Sequence, residues 1–169
     1  RWEDAKGQKE APSVFIPVLE KLGYIVELDF YVFEQILVYM NRWRDEGKEL
    51  PVISINFSRK HFEDEGIYHR ICNLVDVYQI PHKYIEIEIT ESLLVMGIEL
   101  VKEEMELLRK AGFRVAIDDF GTGYSSLNML LDIPADIVKI DKSFLNRKNF
   151  TTEKEFIVKM GALIRSVKE

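Results

Sequence analysis

Four short stretches of the sequence, Val52–Phe57, Tyr84–Ile89, Phe113–Ile117 and Asp136–Ile140, alternate bulky side chains with polar or small ones. The bulky members share one face: Ile53, Ile55 and Phe57; Ile85, Ile87 and Ile89; Phe113, Val115 and Ile117; Val138 and Ile140. The other face carries Ser54 and Asn56, Glu86 and Glu88, Arg114, Ala116 and Asp118, and Lys139 and Asp141. A period of two marks strands with unlike faces. Helical patterns at Ile67–Tyr78, Glu99–Lys110 and, more briefly, Leu127–Leu131 fall between them. Strand–helix–strand order at this spacing implies a mostly parallel sheet covered by helices. An open doubly wound sheet buries both faces and reads as near-continuous aliphatic runs. Here only one face can pack on helices, and the charge on the other gathers toward the strands' C-terminal ends. A (β/α)₈ barrel of the TIM type predicts that arrangement, with functional groups at the C-terminal mouth.

The rest of the chain fits one α/β domain. Gly7 to Pro12 read as loop, Phe15–Leu22 as a short helix stopped by Gly23, and Asp29–Asp45 as a longer helix ended by Gly47. Within the longer helix Val32, Phe33, Ile36, Leu37, Met40 and Trp43 recur at helical spacing. A last helix is expected from Thr152, its N-cap, toward Val167. With 169 residues and 47% hydrophobic content the chain can keep a real core. A net charge of −6 argues against a broad DNA, RNA or membrane-surface footprint, so an anionic ligand must be held locally by metal or a few placed cations. The single cysteine, Cys72, cannot form an intrachain disulfide and points to a reducing, cytoplasmic setting. The start, Arg1-Trp2-Glu3-Asp4, carries neither a signal-peptide pattern nor a methionine and reads as a piece of something longer.

Taken singly, most strand-end residues have ordinary explanations. Asn56 would be a turn or cap residue, Glu86 and Glu88 the solvated face of an antiparallel strand, and Lys139 a snorkelling edge lysine. Asp118-Asp119 could be an Asx turn leading into Phe120-Gly121-Thr122-Gly123, but adjacent carboxylates repel unless a cation binds or one is protonated. Jointly, polar residues on one face at the same end of four successive strands are poorly explained by chance. Asn56, Glu88, Asp118 and Asp119 offer only oxygen donors, which suits Mg²⁺ or Mn²⁺ and does not suit structural zinc. Asp119-Phe120-Gly121 lacks the other kinase signatures, and Gly121-Thr122-Gly123 is not a dinucleotide fingerprint. His61, His69 and His82 lack ligand spacing.

At these residues the chain resembles the EAL-domain phosphodiesterases of bacterial cyclic diguanylate (c-di-GMP) signalling, over essentially its whole length. The strongest element is Asp118-Asp119-Phe120-Gly121-Thr122-Gly123-Tyr124-Ser125-Ser126-Leu127. Phe15-Ile16-Pro17, Asn56-Phe57-Ser58, Glu86 through Ser92, and Lys139 through Phe144 support it, in the family's order. The resemblance implies that Asn56, Glu88 and Asp118 hold a first divalent ion and that Asp119 helps hold a second. It implies that Lys139 sits beside the attacking water and the scissile phosphate, making Lys139, Asp119 and Glu88 the catalytic set. Arg1 would contact a substrate phosphate, Asp141 would line the same mouth, and the loop from Phe120 to Ser126 would couple metal occupancy to dimerisation. Two-metal hydrolysis of c-di-GMP to linear pGpG, by a homodimer, is the activity implied.

Departures from the family pattern shape the expectation for this chain. It begins at the arginine that follows the Glu-Ala-Leu signature and stops before a later glutamate-bearing strand, so the whole of 1–169 is expected to be a partial EAL domain. An incomplete barrel of this kind is expected to be inactive by itself, while its parent is an active hydrolase. The parent's other signalling domains and any membrane attachment are left open. The competing expectation is a module that binds c-di-GMP, or a regulatory partner, without turnover.

Overall fold

The computed structural model describes all residues except 1, 4–5, 64–65, 97, 122–132, 146–154, 156–157, 160 and 163–169. In chain order the elements are β1 (Trp2–Glu3), β2 (Lys9–Glu10), α1 (Pro12–Leu22), α2 (Ile25–Asp45), β3 (Ile53–Asn56), α3 (Ile67–Val77), β4 (Ile85–Thr90), α4 (Glu91–Met96), α5 (Ile98–Lys110), β5 (Arg114–Phe120) and β6 (Ile137–Ile140). They form two compact units, residues 1–51 with 56–80, and residues 52–55 with 81–169.

The first unit is helical. Helix α1 has a proline in its first turn, where the missing N–H costs nothing, and ends on Gly23 at φ 81°, a left-handed cap that glycine adopts freely. Helix α2 buries Ile25, Phe30, Phe33, Leu37 and Met40 along one stripe. The predicted face is thus correct at Phe33, Leu37 and Met40, whereas Val32 is 45% exposed and Phe30 takes the inward place. The helix also starts at Ile25 rather than Asp29, because Gly23 and Tyr24 alone turn the chain between α1 and α2. Phe30 and Phe33 meet Phe57 edge-on at centroid separations of 5.6 and 5.8 Å. His61, with a side chain only 1% exposed, packs on Phe57 and bonds Asp29 Oδ2 through Nε2 at 2.9 Å. The same carboxylate accepts the Ser58 N–H at 3.3 Å, so it fixes the chain just after Asn56. The stretch read as loop from Gly7 contains β2, whose two residues pair antiparallel with β1.

The second unit is built on a sheet of order β3-β4-β5-β6. Strands β4, β5 and β6 run parallel, with Ile87 beside Val115 and Ile117 beside Val138. Sequential order is what a barrel wall requires; a doubly wound sheet reverses its order at a switch point. Ile85, Ile87, Ile89, Val115 and Ile117 are wholly buried, with Val101, Met105 and Leu108 of α5. Asp136 ties three elements together: its N–H donates to Val115 O at 2.8 Å, its Oδ2 accepts the Val115 N–H at 2.9 Å, and its Oδ1 accepts Arg109 Nε at 2.8 Å. Helix α4 follows β4 without a loop and was not expected from the sequence pattern. The expected helix at Leu127–Leu131 lies outside the described residues; of the one from Thr152, Glu155, Val158, Lys159, Gly161 and Ala162 are described and helical. Among the described residues no helix is long and apolar enough to cross a membrane.

Candidate active site on the parallel sheet

Glu86 and Glu88 do not form a solvated face. Their strand pairs parallel with β5, and they are 5% and 6% exposed. Two buried carboxylates need a counter-charge, and Lys139 of β6 supplies it. Its ammonium lies 2.7 Å from Glu86 Oε1, donates to Glu88 Oε1, and reaches Ser54 Oγ at 3.2 Å. Ser54 in turn donates to Glu86 Oε1 at 2.8 Å. The register explains the reach: Glu88 is level with Ala116, and Ala116 with Ile137. Lys139, two residues beyond Ile137 on the same face, therefore crosses β5 over a methyl group. Burial pushes the Glu86 carboxyl up, but the hydrogen bonds from Lys139 and Ser54 outweigh it and hold the group below its ordinary value. Burial likewise favours neutral Lys139, yet the bonds to Glu86 and Glu88 win and raise it. Lys139 is therefore an ammonium at neutral pH.

The second cluster is at the end of β5. The strand was expected to stop at Ile117 but continues to Phe120, and its register with β6 slips between Ile117 and Phe120. Asp119 accommodates the bulge at φ 53°, a left-handed conformation that aspartate tolerates better than most residues. Its N–H donates to Asp118 Oδ1 at 2.9 Å. Asp119 is exposed, yet its carboxyl is raised, by partial desolvation and then by the charges of Asp118 and Asp141. Asp141 is held low by hydrogen bonds from Ser143, whose backbone N–H lies 2.7 Å from Oδ1. Its own N–H donates to Phe120 O at 3.2 Å, which ties the residue after β6 to the bulge. Glu91, 1% exposed, accepts the Gly121 N–H at 2.7 Å and anchors the turn from the other side.

The structure thus brings Glu88 and Lys139 together, and Asp118, Asp119 and Asp141 together. Asn56 is the exposed last residue of β3 and belongs to the first unit. Arg1 and most of the loop from Phe120 to Ser126 lie outside the described residues. Among the described residues, no three Asp, Glu, His or Cys side chains converge as a ready metal cage. The donors nevertheless fit Mg²⁺ or Mn²⁺ in kind: they are carboxylate oxygens, Glu88 already binds a cation in the form of Lys139, and Asp119 is crowded by negative charge. Sequence reasoning gave no role to Ser54, Glu86 or Glu91. The signal for Glu86 was present, since it shares a face and a two-residue spacing with Glu88, and Glu91 lies in the same family-like segment; nothing local marks Ser54.

Comparison with known proteins agrees with this geometry. The EAL domain family model matches residues 1–169. The signaling protein YkoW of Bacillus subtilis is 36% identical over 140 residues, 83% of this chain and 17% of its own length. The probable cyclic di-GMP phosphodiesterase PdeG of Escherichia coli is 35% identical over 153 residues, 90% of this chain and 30% of its own. The phosphodiesterase PaMucR, solved as a c-di-GMP complex, superposes with a TM-score of 0.88 at 30% identity, covering 99% of this chain and 68% of that one. The chain therefore spans less than a third of the curated relatives and about two thirds of the solved domain. Its sheet is a wall of the TIM-barrel-like EAL fold, and the chain belongs to the EAL domain family.

Proposed function

We propose that the intact protein hydrolyses c-di-GMP to linear pGpG, as a metal-dependent phosphodiesterase of bacterial second-messenger signalling. The observation that carries this reading is Lys139, held as an ammonium against Glu88 and Glu86 in a chain whose relatives include proteins named as c-di-GMP phosphodiesterases. Asn56, Glu88 and Asp118 would hold one Mg²⁺ or Mn²⁺ ion and Asp119 would help hold a second. Divalent ions supply two things to such a reaction: a bound water of lowered pKa and neutralisation of charge on the phosphoryl oxygens. Lys139, an ammonium held by Glu86 and Glu88, would donate hydrogen bonds and positive charge to a phosphate oxygen. Asp141 lines the same mouth and Arg1 contacts a substrate phosphate. A −6 chain meets a dianionic substrate through these local cations. The lone cysteine fits a cytoplasmic setting, and the reaction is assigned to a homodimer.

The test is turnover of c-di-GMP by the intact protein with Mn²⁺, followed by chromatography of the nucleotides. Formation of pGpG is expected, with kcat lowered about 10²-fold or more in Lys139→Ala. A second reading, binding without turnover, is favoured by the engagement of Glu88 with Lys139 and by the lack of a ready three-ligand cage among the described residues. Saturable c-di-GMP binding with no pGpG from metal-loaded, folded protein would establish that reading instead.

A further inference from the structure

Glu86 carries no role in the reaction outlined above, yet its carboxylate is buried and doubly engaged. Its Oε1 accepts from both Ser54 Oγ at 2.8 Å and Lys139 Nζ at 2.7 Å, and its side chain is 7% exposed. Lys139 has three N–H donors, and Glu86, Glu88 and Ser54 take all three. A cation that binds Glu88 through Oε1 competes with Lys139 for that oxygen. Were Glu88 the ammonium's sole counter-charge, metal binding would strand a half-buried lysine beside a divalent ion. With Glu86 two residues earlier on the same face, Lys139 gives up one of three bonds and stays in place.

We infer that Glu86 is a positioning residue that retains Lys139 when Glu88 turns to a divalent cation, so that one strand supplies both a metal ligand and the anchor of the catalytic lysine. Ser54 completes the anchor by holding Glu86 Oε1 from β3. Glu86 is committed to the lysine, since its Oε1 already accepts both Ser54 and Lys139. The inference rests on the reading of Glu88 as a metal ligand.

The test is a double-mutant cycle on the intact protein, read by calorimetry with Mn²⁺ alone. Glu86→Gln keeps the side chain's shape and an acceptor for Ser54, and leaves Lys139 bound to Glu88. It is expected to weaken Mn²⁺ binding about tenfold, the low end of what loss of a carboxylate supporting a metal ligand costs. Adding Lys139→Met is expected to restore the wild-type Mn²⁺ affinity without restoring turnover, a rescue that loss of packing could not produce. Ser54→Ala should shift affinity in the same direction by a smaller factor, and serves if Glu86→Gln does not fold. Unchanged Mn²⁺ affinity in Glu86→Gln, or no rescue by Lys139→Met, overturns the inference while Glu88→Gln still abolishes binding. If Glu88→Gln binds Mn²⁺ as the wild type does, the metal assignment itself has failed, and the inference with it.

Discussion

Asp119 concentrates the conflict between folding and chemistry in one residue. Its positive φ and its bulge aim a carboxylate toward Asp118 and Asp141, and the folded state raises its pKa. A raised carboxyl binds a proton more readily folded than unfolded. Without metal, stability is therefore lost as pH climbs from the ordinary aspartate value through the raised one, and the whole cost is present at neutral pH. Asp119→Asn removes the charge and retains a residue type that tolerates the left-handed region. The variant is expected to melt at a higher temperature than the wild type at pH 7 in chelator, with the gap closing as pH falls. Mn²⁺ should reverse the order by stabilising only the wild type, by RT ln(1 + [L]/Kd). Melting curves at several pH values check all three statements, and a variant less stable than the wild type in chelator at pH 7 would contradict them.

At the scale of elements, the site depends on what β5 does not place between its neighbours. Ala116 is wholly buried, level with Glu88 on one side and Ile137 on the other. Its small side chain lets Lys139 span from β6 to β4 and to Ser54 on β3. Ala116→Leu forces extra methylenes into that crossing, so a loss of about 1–3 kcal/mol is expected from overpacking. It should also lower c-di-GMP turnover by at least the factor expected for Lys139→Ala, since the lysine can no longer reach its anchors. Urea denaturation and the turnover assay measure the two effects separately. Wild-type turnover in a folded Ala116→Leu protein would show that Lys139 acts from another position.

For the molecule as a whole, apolar surface predicts behaviour in solution. Helix α1 buries none of its residues and exposes Val14, Val18 and Leu22, four residues apart on one stripe, at 56%, 53% and 61%. Among the described residues β3 and β6 are the outer strands of the sheet. Open strand edges and an apolar stripe drive self-association unless something covers them. The 169-residue chain expressed by itself is therefore expected to self-associate, and to turn over c-di-GMP far more slowly than the intact protein. Light scattering and the pGpG assay on that polypeptide decide the matter; a monodisperse, fully active monomer would refute the expectation.

The alternation in four strands determined, without any structure, that one sheet face would be aliphatic and the other polar or small, because side-chain direction in a strand follows position alone. It also put Asn56, Glu88, Asp118, Lys139 and Asp141 on the polar face, while Asp119 was marked only by its charge crowding with Asp118 and by the family resemblance. Local chemistry was enough for the stop at Gly23 and for the helical stripe of Phe33, Leu37 and Met40. Sequence reasoning missed what depends on neighbours distant in the chain. Whether Glu86 and Glu88 are solvated or buried turns on the partner strand's direction, and the parallel pairing with β5 decided it. That Asp119 occupies a bulge turns on a register slip against β6. The joining of Ser54, Glu86 and Lys139, 32 and 53 residues apart in order, turns on β3 and β4 being neighbours and on the small Ala116 of β5 standing between Glu86 and Lys139. Such contacts follow from which residues stand level across hydrogen-bonded strands, and no local pattern encodes that register; only the assembled sheet fixes it.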